Sequence, residues 1–175
     1  MNKRLFTILT VLLIATLATS TASAGGGVKL SGVSFSLGSL IANGYASGLG
    51  NTDVTVVLDA SGIPAIACTN NGGNDVPGQS SPKISATGQQ TLDGNDPIRK
   101  NGKSPFFTET NDPTTIAWDA AGCPSSNWTA HIDFIFWTNA KLSVYSTSTN
   151  TLLASQKYTC TTTRYPASVS CVAVP

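Results

Sequence analysis

Residues 128–138 read WTAHIDFIFWT, and this stretch decides the fold class. Polar and apolar residues alternate from Trp128, placing Trp128, Ala130, Ile132, Phe134 and Phe136 on one face. The opposite face then carries Thr129, His131, Asp133, Ile135 and Trp137. A two-residue period marks a β-strand, and apolar groups on both faces mark one that is covered on both sides. No stretch of the mature chain shows a sustained helical period.

The same period recurs on either side. Asp53 to Ala60 reads DVTVVLDA and aligns Val54, Val56, Leu58 and Ala60, while Lys141 to Tyr145 turns Leu142 and Val144 inward. Near the start, Val28 and Leu30 are even-numbered but Val33, Phe35 and Leu37 are odd, with Gly32 where the parity changes. One extra residue there, a β-bulge, restores a continuous apolar face. Further strands are expected at Ile41 to Leu49, Ala65 to Thr69, Lys83 to Leu92, Pro105 to Thr110, Leu152 to Cys160 and Ser168 to Val174. Turn clusters such as Gly50-Asn51, Ser61-Gly62, Asp93-Gly94-Asn95-Asp96-Pro97, Asn101-Gly102 and Asn111-Asp112-Pro113 separate most of them. Strands this short and numerous predict an all-β, two-sheet antiparallel sandwich, immunoglobulin-like, with a closed β-barrel as the alternative.

The first 24 residues have the layout of a signal peptide: Lys3 and Arg4, an apolar helical run from Leu5 to Ala18, and the small triplet Ala22, Ser23, Ala24. Cleavage after Ala24 leaves residues 25–175 as a single domain, which we expect to be secreted or otherwise extracytoplasmic, with no membrane association once the signal is gone. The full chain has 10 basic and 9 acidic residues; losing Lys3 and Arg4 leaves 8 and 9, a formal charge of −1. Arg99, Lys100 and Lys103 form the one local basic run, far short of the clustered cations that hold a phosphate backbone, so nucleic acid is excluded as a partner. The 11% of charged residues and the wealth of Ser, Thr, Asn and Gly suit strands with solvent-facing hydroxyls.

Cys68, Cys123, Cys160 and Cys171 allow three pairings, and their presence after the signal fits an oxidising compartment. Geometry favours Cys160 with Cys171, which can meet across a hairpin turning through Thr161 to Ser168. Cys68 then bridges Cys123, closing a loop of roughly 55 residues worth about 4 kcal/mol in the chain-entropy description. That staple holds two polar loops side by side, TNNGGNDVPGQ after Cys68 and PSSN after Cys123.

Candidate chemistry is sparse. Asn70, Asn71, Asn74 and Asp75 offer oxygen ligands of the kind calcium takes, and Asp93, Asn95 and Asp96 form a similar group. Neither matches an EF-hand loop, and turn formation accounts for both, so no cofactor is expected. His131, with Asp133 two residues on, has no nucleophile in a recognisable setting such as GxSxG. Glu109 is the only glutamate. These counts point away from an enzyme, a small extracellular hydrolase being the weaker alternative. Trp137 is the candidate exposed platform for a sugar, with Trp118, Tyr145, Tyr158 and Tyr165 of undetermined orientation. Asn127-Trp128-Thr129 fits the N-glycosylation pattern.

The string GLGNTDVTVVLDASG, ACTNNGGNDVPGQ, KNGKSPF and GCPSSNWTAHI resembles a group of uncharacterised small secreted bacterial β-rich proteins. They share a CTNxGGNxxPGQ segment, then NGxxPF, then CPxxxWT. The resemblance covers about Leu37 to Tyr145 and includes Cys68 and Cys123, but not Cys160 and Cys171. It implies an extracytoplasmic β domain and carries no catalytic residues. Taken together, the expectation is a secreted, non-catalytic binding or structural surface module, with a carbohydrate-binding module as the sharper alternative and a polysaccharide or cell-surface protein as partner.

Overall fold

The computed structural model describes residues 27–97 and 102–175. Residues 1–24, read from the sequence as a signal peptide, and the basic pair Arg99 and Lys100 lie outside the described residues. Ten strands follow one another: β1 (Lys29–Ser36), β2 (Ile41–Ser47), β3 (Val54–Asn70), β4 (Asp75–Pro77), β5 (Ile84–Leu92), β6 (Lys103–Glu109), β7 (Thr115–Ile116), β8 (Trp128–Ser146), β9 (Leu152–Arg164) and β10 (Ala167–Ala173). They form an all-β antiparallel sandwich. Sheet A has the order β1-β2-β6, and sheet B the order β10-β9-β8-β3-β4, with β5 also on β3 and β7 on β8. No helix among the described residues is long and apolar enough to cross a membrane.

The bulge expected at Gly32 is present. Ser31 pairs with Tyr45 and Ser34 with Asn43, so Gly32 and Val33 together face Gly44. Gly32 has φ +59°, a conformation that costs glycine nothing and other residues strain. Val28, Leu30, Val33 and Phe35 then all pack on the main core.

Two expected breaks are absent. Ser61-Gly62 does not turn the chain, because β3 runs straight through it for 17 residues with its even-numbered side chains buried up to Cys68. Likewise Trp128 to Thr138 and Lys141 to Tyr145 are one 19-residue strand. At about 3.3 Å per residue these strands reach roughly 55–63 Å, more than twice the span of seven-residue β2 or β6. Sheet A therefore covers only part of sheet B.

The proximal part of sheet B, Val54 to Ala60 with Ala140 to Val144, packs on Leu40 of the β1-β2 turn and on Ala42, Ala46 and Phe106 of sheet A to form the main core. The distal part has a separate small core of Ile66, Cys68, Ala121, Cys123 and Ala130. At the corners the sheets approach each other edge to edge, β1 beside β10 and β5 beside β6. The second corner is stitched: Phe107 N–H donates to Gln90 Oε1 at 2.7 Å, and Asn111 N–H donates to Thr87 O at 3.1 Å. Gly88 is required there, since a Cβ would lie 1.7 Å from Glu109 O.

Strand β8 carries a correction to the face assignment. Its register on β3 skips Thr138, between Ser61↔Asn139 and Gly62↔Trp137, and skips Asp133, between Ala65↔Phe134 and Ile66↔Ile132. Each inserted residue reverses the inward parity. Ala130 points in, then Ile135 and Trp137, then Ala140, Leu142 and Val144. Phe134 and Phe136, expected inside, are partly exposed and meet edge to face at 5.0 Å.

Candidate functional site

All four cysteines are bonded, Cys68 to Cys123 and Cys160 to Cys171. The second pair faces across the β9-β10 ladder, as the hairpin geometry requires. Two disulfides favour an oxidising environment outside the cytoplasm. The first does what the spacing suggests: it draws the chain around Ala121 to Cys123 onto the segment after β4, where Ser80 N–H donates to Ala121 O at 3.0 Å. Gly78 is needed at that crossing, because a Cβ would stand 2.9 Å from Ala121 O.

The Asn-rich stretch is a hairpin turn between β3 and β4. Asn70 Oδ1 accepts hydrogen bonds from Gly72 N–H at 2.9 Å and Asn74 N–H at 3.0 Å, and Thr69 Oγ1 donates to Asp75 Oδ1 at 2.6 Å. Asn70 thus spends its carbonyl on its own loop, as a side chain replacing a backbone turn does. Asn71 is exposed beside it. Asp93 Oδ1 likewise accepts from Asn95 N–H at 2.8 Å. Among the described residues no group of three or more His, Cys, Asp or Glu side chains is placed to hold a metal.

Trp137 requires correction as a sugar platform. It is 2% exposed and forms part of the main core, turned inward by the bulge at Thr138. Tyr158 is also buried and meets Phe35 edge-on at 4.9 Å; burial raises its hydroxyl pKa above the ordinary value. Tyr165, at the β9-β10 turn, is 83% exposed. His131 pairs with Ala67 within the ladder, whereas Asp133 is the inserted residue of a bulge.

The exposed aromatic surface lies instead on the outer face of sheet A. Tyr45 is 49% and Phe107 51% exposed. Tyr45 pairs with Pro105, and Asn43 with Phe107, so the two rings stand diagonally on neighbouring strands. They wall a groove of about 510 Å³ with Gly32 and Gly44 in its lining and Ser34, Asn43 and Gln90 as its polar groups. Gly32 keeps the groove open beside Tyr45, whereas Gly44 turns its bare Cα inward, where a Cβ would stand 2.8 Å from the Phe106 ring. Gln90 gives its amide oxygen to Phe107 N–H, which fixes the side chain and leaves its NH₂ end to donate.

Two other concavities frame sheet B. One of about 460 Å³ includes the cross-strand row Thr87, Asp59, Lys141, Lys157. Another of about 250 Å³, between the β1-β2 turn and β8, holds Asp112 and Asp133. Burial raises the Asp112 pKa, the Thr110 hydroxyl bond lowers it, and Glu109 nearby raises it, with a net rise. Comparison with known proteins gave no match: no family model, curated protein or solved structure is significantly similar to this chain.

Proposed function

We propose that this chain is a secreted, non-catalytic binding module of immunoglobulin-like type that holds polysaccharide on the outer face of sheet A. The supporting observation is the pair of half-exposed rings, Tyr45 and Phe107, flanking a shallow groove lined by Gly32 and edged by amide and hydroxyl groups. A pyranose presents an apolar C–H face and a polar rim. An aromatic ring covers the first, and Asn43, Ser34 and the Gln90 NH₂ bond the second. An open groove on a flat sheet admits a chain passing through rather than a small molecule enclosed.

The resemblance to secreted bacterial β-rich proteins supports the location, and the sandwich supports the immunoglobulin-like reading at the level of two packed antiparallel sheets. The test is retention of the mature chain on insoluble cellulose, chitin, xylan and peptidoglycan. Tyr45→Ala and Phe107→Ala should each weaken retention about tenfold, as loss of roughly 1.4 kcal/mol of stacking implies. Failure to be retained on any glycan, or unchanged retention of the double variant, overturns the proposal.

A further inference from the structure

We infer that the outer face of the distal part of sheet B carries a second binding site, for a neutral polyhydroxylated ligand, built from Arg164, Asp75 and Asp133. The three side chains line one cleft of about 430 Å³, whose apolar lining includes Ala65, Ala67 and Pro77. The small size of the alanines is what leaves the space.

Arg164 is held in an unusual way for a surface arginine. Its guanidinium carbon lies 5.9 Å from the Phe134 ring and 5.5 Å from the Tyr165 ring, a cation between two π faces. Among the described residues its side chain has no carboxylate partner and no hydrogen bond. The rings restrain it while its fork of N–H donors stays open. Its position is fixed from behind by the β9-β10 hairpin, which the Cys160–Cys171 bond closes and in which Thr163 Oγ1 donates to Pro166 O at 2.9 Å.

Asp133 reaches the same cleft through the bulge between Ala65↔Phe134 and Ile66↔Ile132. Bulges re-aim side chains, and this one also brings Phe134 to the outer face beneath Arg164. Asp75 has one carboxylate oxygen engaged by Thr69 and one free. The cleft thus pairs two strong acceptors with a five-donor fork.

The charges choose the ligand class. An anion drawn to Arg164 meets two carboxylates, and a cation drawn to the carboxylates meets Arg164. Neighbouring hydroxyl groups satisfy both, donating to the aspartates and accepting from the guanidinium. The cleft volume suits one or two sugar rings. This site lies on sheet B and stands independently of the groove on sheet A.

The experiment is an amide ¹⁵N–¹H titration of the mature protein with soluble, uncharged gluco-, xylo-, manno- and N-acetylglucosamine oligosaccharides. The expected result is saturable shifts at Ala65, Ala67, Asp75, Asp133 and Arg164 for at least one of them. Arg164→Lys, which keeps the charge but loses the fork, and Asp133→Asn should each weaken that affinity about tenfold or more, their spectra confirming the fold. The Tyr45→Ala, Phe107→Ala double variant should leave these shifts unchanged, which separates this site from the sheet A groove. Absence of saturable shifts in the cleft with every oligosaccharide overturns the inference, as do equal shifts with acetate, inorganic phosphate or free glycine.

Discussion

The two ends of β3 obey one rule of burial and meet it by different means. From Val54 to Ala60 alternate side chains pack on a second sheet, and from Ile66 to Cys68 they pack on two loops and a disulfide. In the proximal half the apolar area of two facing sheets is large enough to order the chain around it. The distal half has few buried apolar groups, so its cover depends on a covalent tie that limits the unfolded alternatives. An alternating strand tells that one face will be covered but not by what.

The largest expected effect tests that difference directly. Replacing Cys68 and Cys123 together with Ser should cost about 4 kcal/mol, against about 3 kcal/mol for Cys160 and Cys171, because the loop of 55 is longer than the loop of 11. Amide hydrogen exchange should show Ile66 to Asn70 and Ala130 to Ile132 losing protection while Val54 to Ala60 keeps it. Uniform loss along β3 would break the distinction between the halves.

Next, Leu58→Ala in the main core should destabilise by about 3 kcal/mol, read as a lower urea midpoint with an unchanged slope. Leu58 is fully buried between the sheets, so exchange protection should fall at both ends of β3 together. A loss confined to the proximal half would show that the distal unit stands alone.

The smallest effect concerns the segment that leaves sheet A for the distal half. Thr110 is bound to Leu40 on one side and donates its hydroxyl to Asp112 on the other. Because burial raises the Asp112 pKa above 3.8, ionising it opposes folding, a cost absent at low pH that sets in as pH rises through the folded-state pKa. Asp112→Asn should therefore gain stability relative to the parent as pH increases from about 3 to 7. A relative loss over that range would reverse the sign assigned to this carboxyl.

Some of this architecture is readable in the sequence and some is not, for definite reasons. The parity slip at Gly32 is legible because only one face of β1 is apolar on each side of it. In Phe134-Ile135-Phe136-Trp137 both parities are apolar, so the alternation cannot reveal two reversals, and Trp137 is assigned to the wrong side. Gly62 looks like a turn residue but serves close approach, since a Cβ there would be 2.6 Å from Phe136 O. Pro64 is tolerated in mid-strand because it falls in the gap where β5 has left β3 at Gly62 and β4 has not joined until Ala67. The cysteine pairing is legible because one pair must span a hairpin. Of the binding surface, adjacent Phe106 and Phe107 announce that one ring faces outward. Arg164 carries no such signal, for its setting depends on a hairpin folding back over β8.

The corner-to-corner approach of the sheets, β1 beside β10 and β5 beside β6, has a consequence for the protein in bulk. Long unpaired strand margins are templates on which other chains add and fibrils grow. Here the four longest margins look at one another, and Pro77 interrupts the short outer strand of the distal half. The remaining outer strands β4 and β7 have three and two residues and give a stranger little to copy, so concentrated solutions should resist fibre formation.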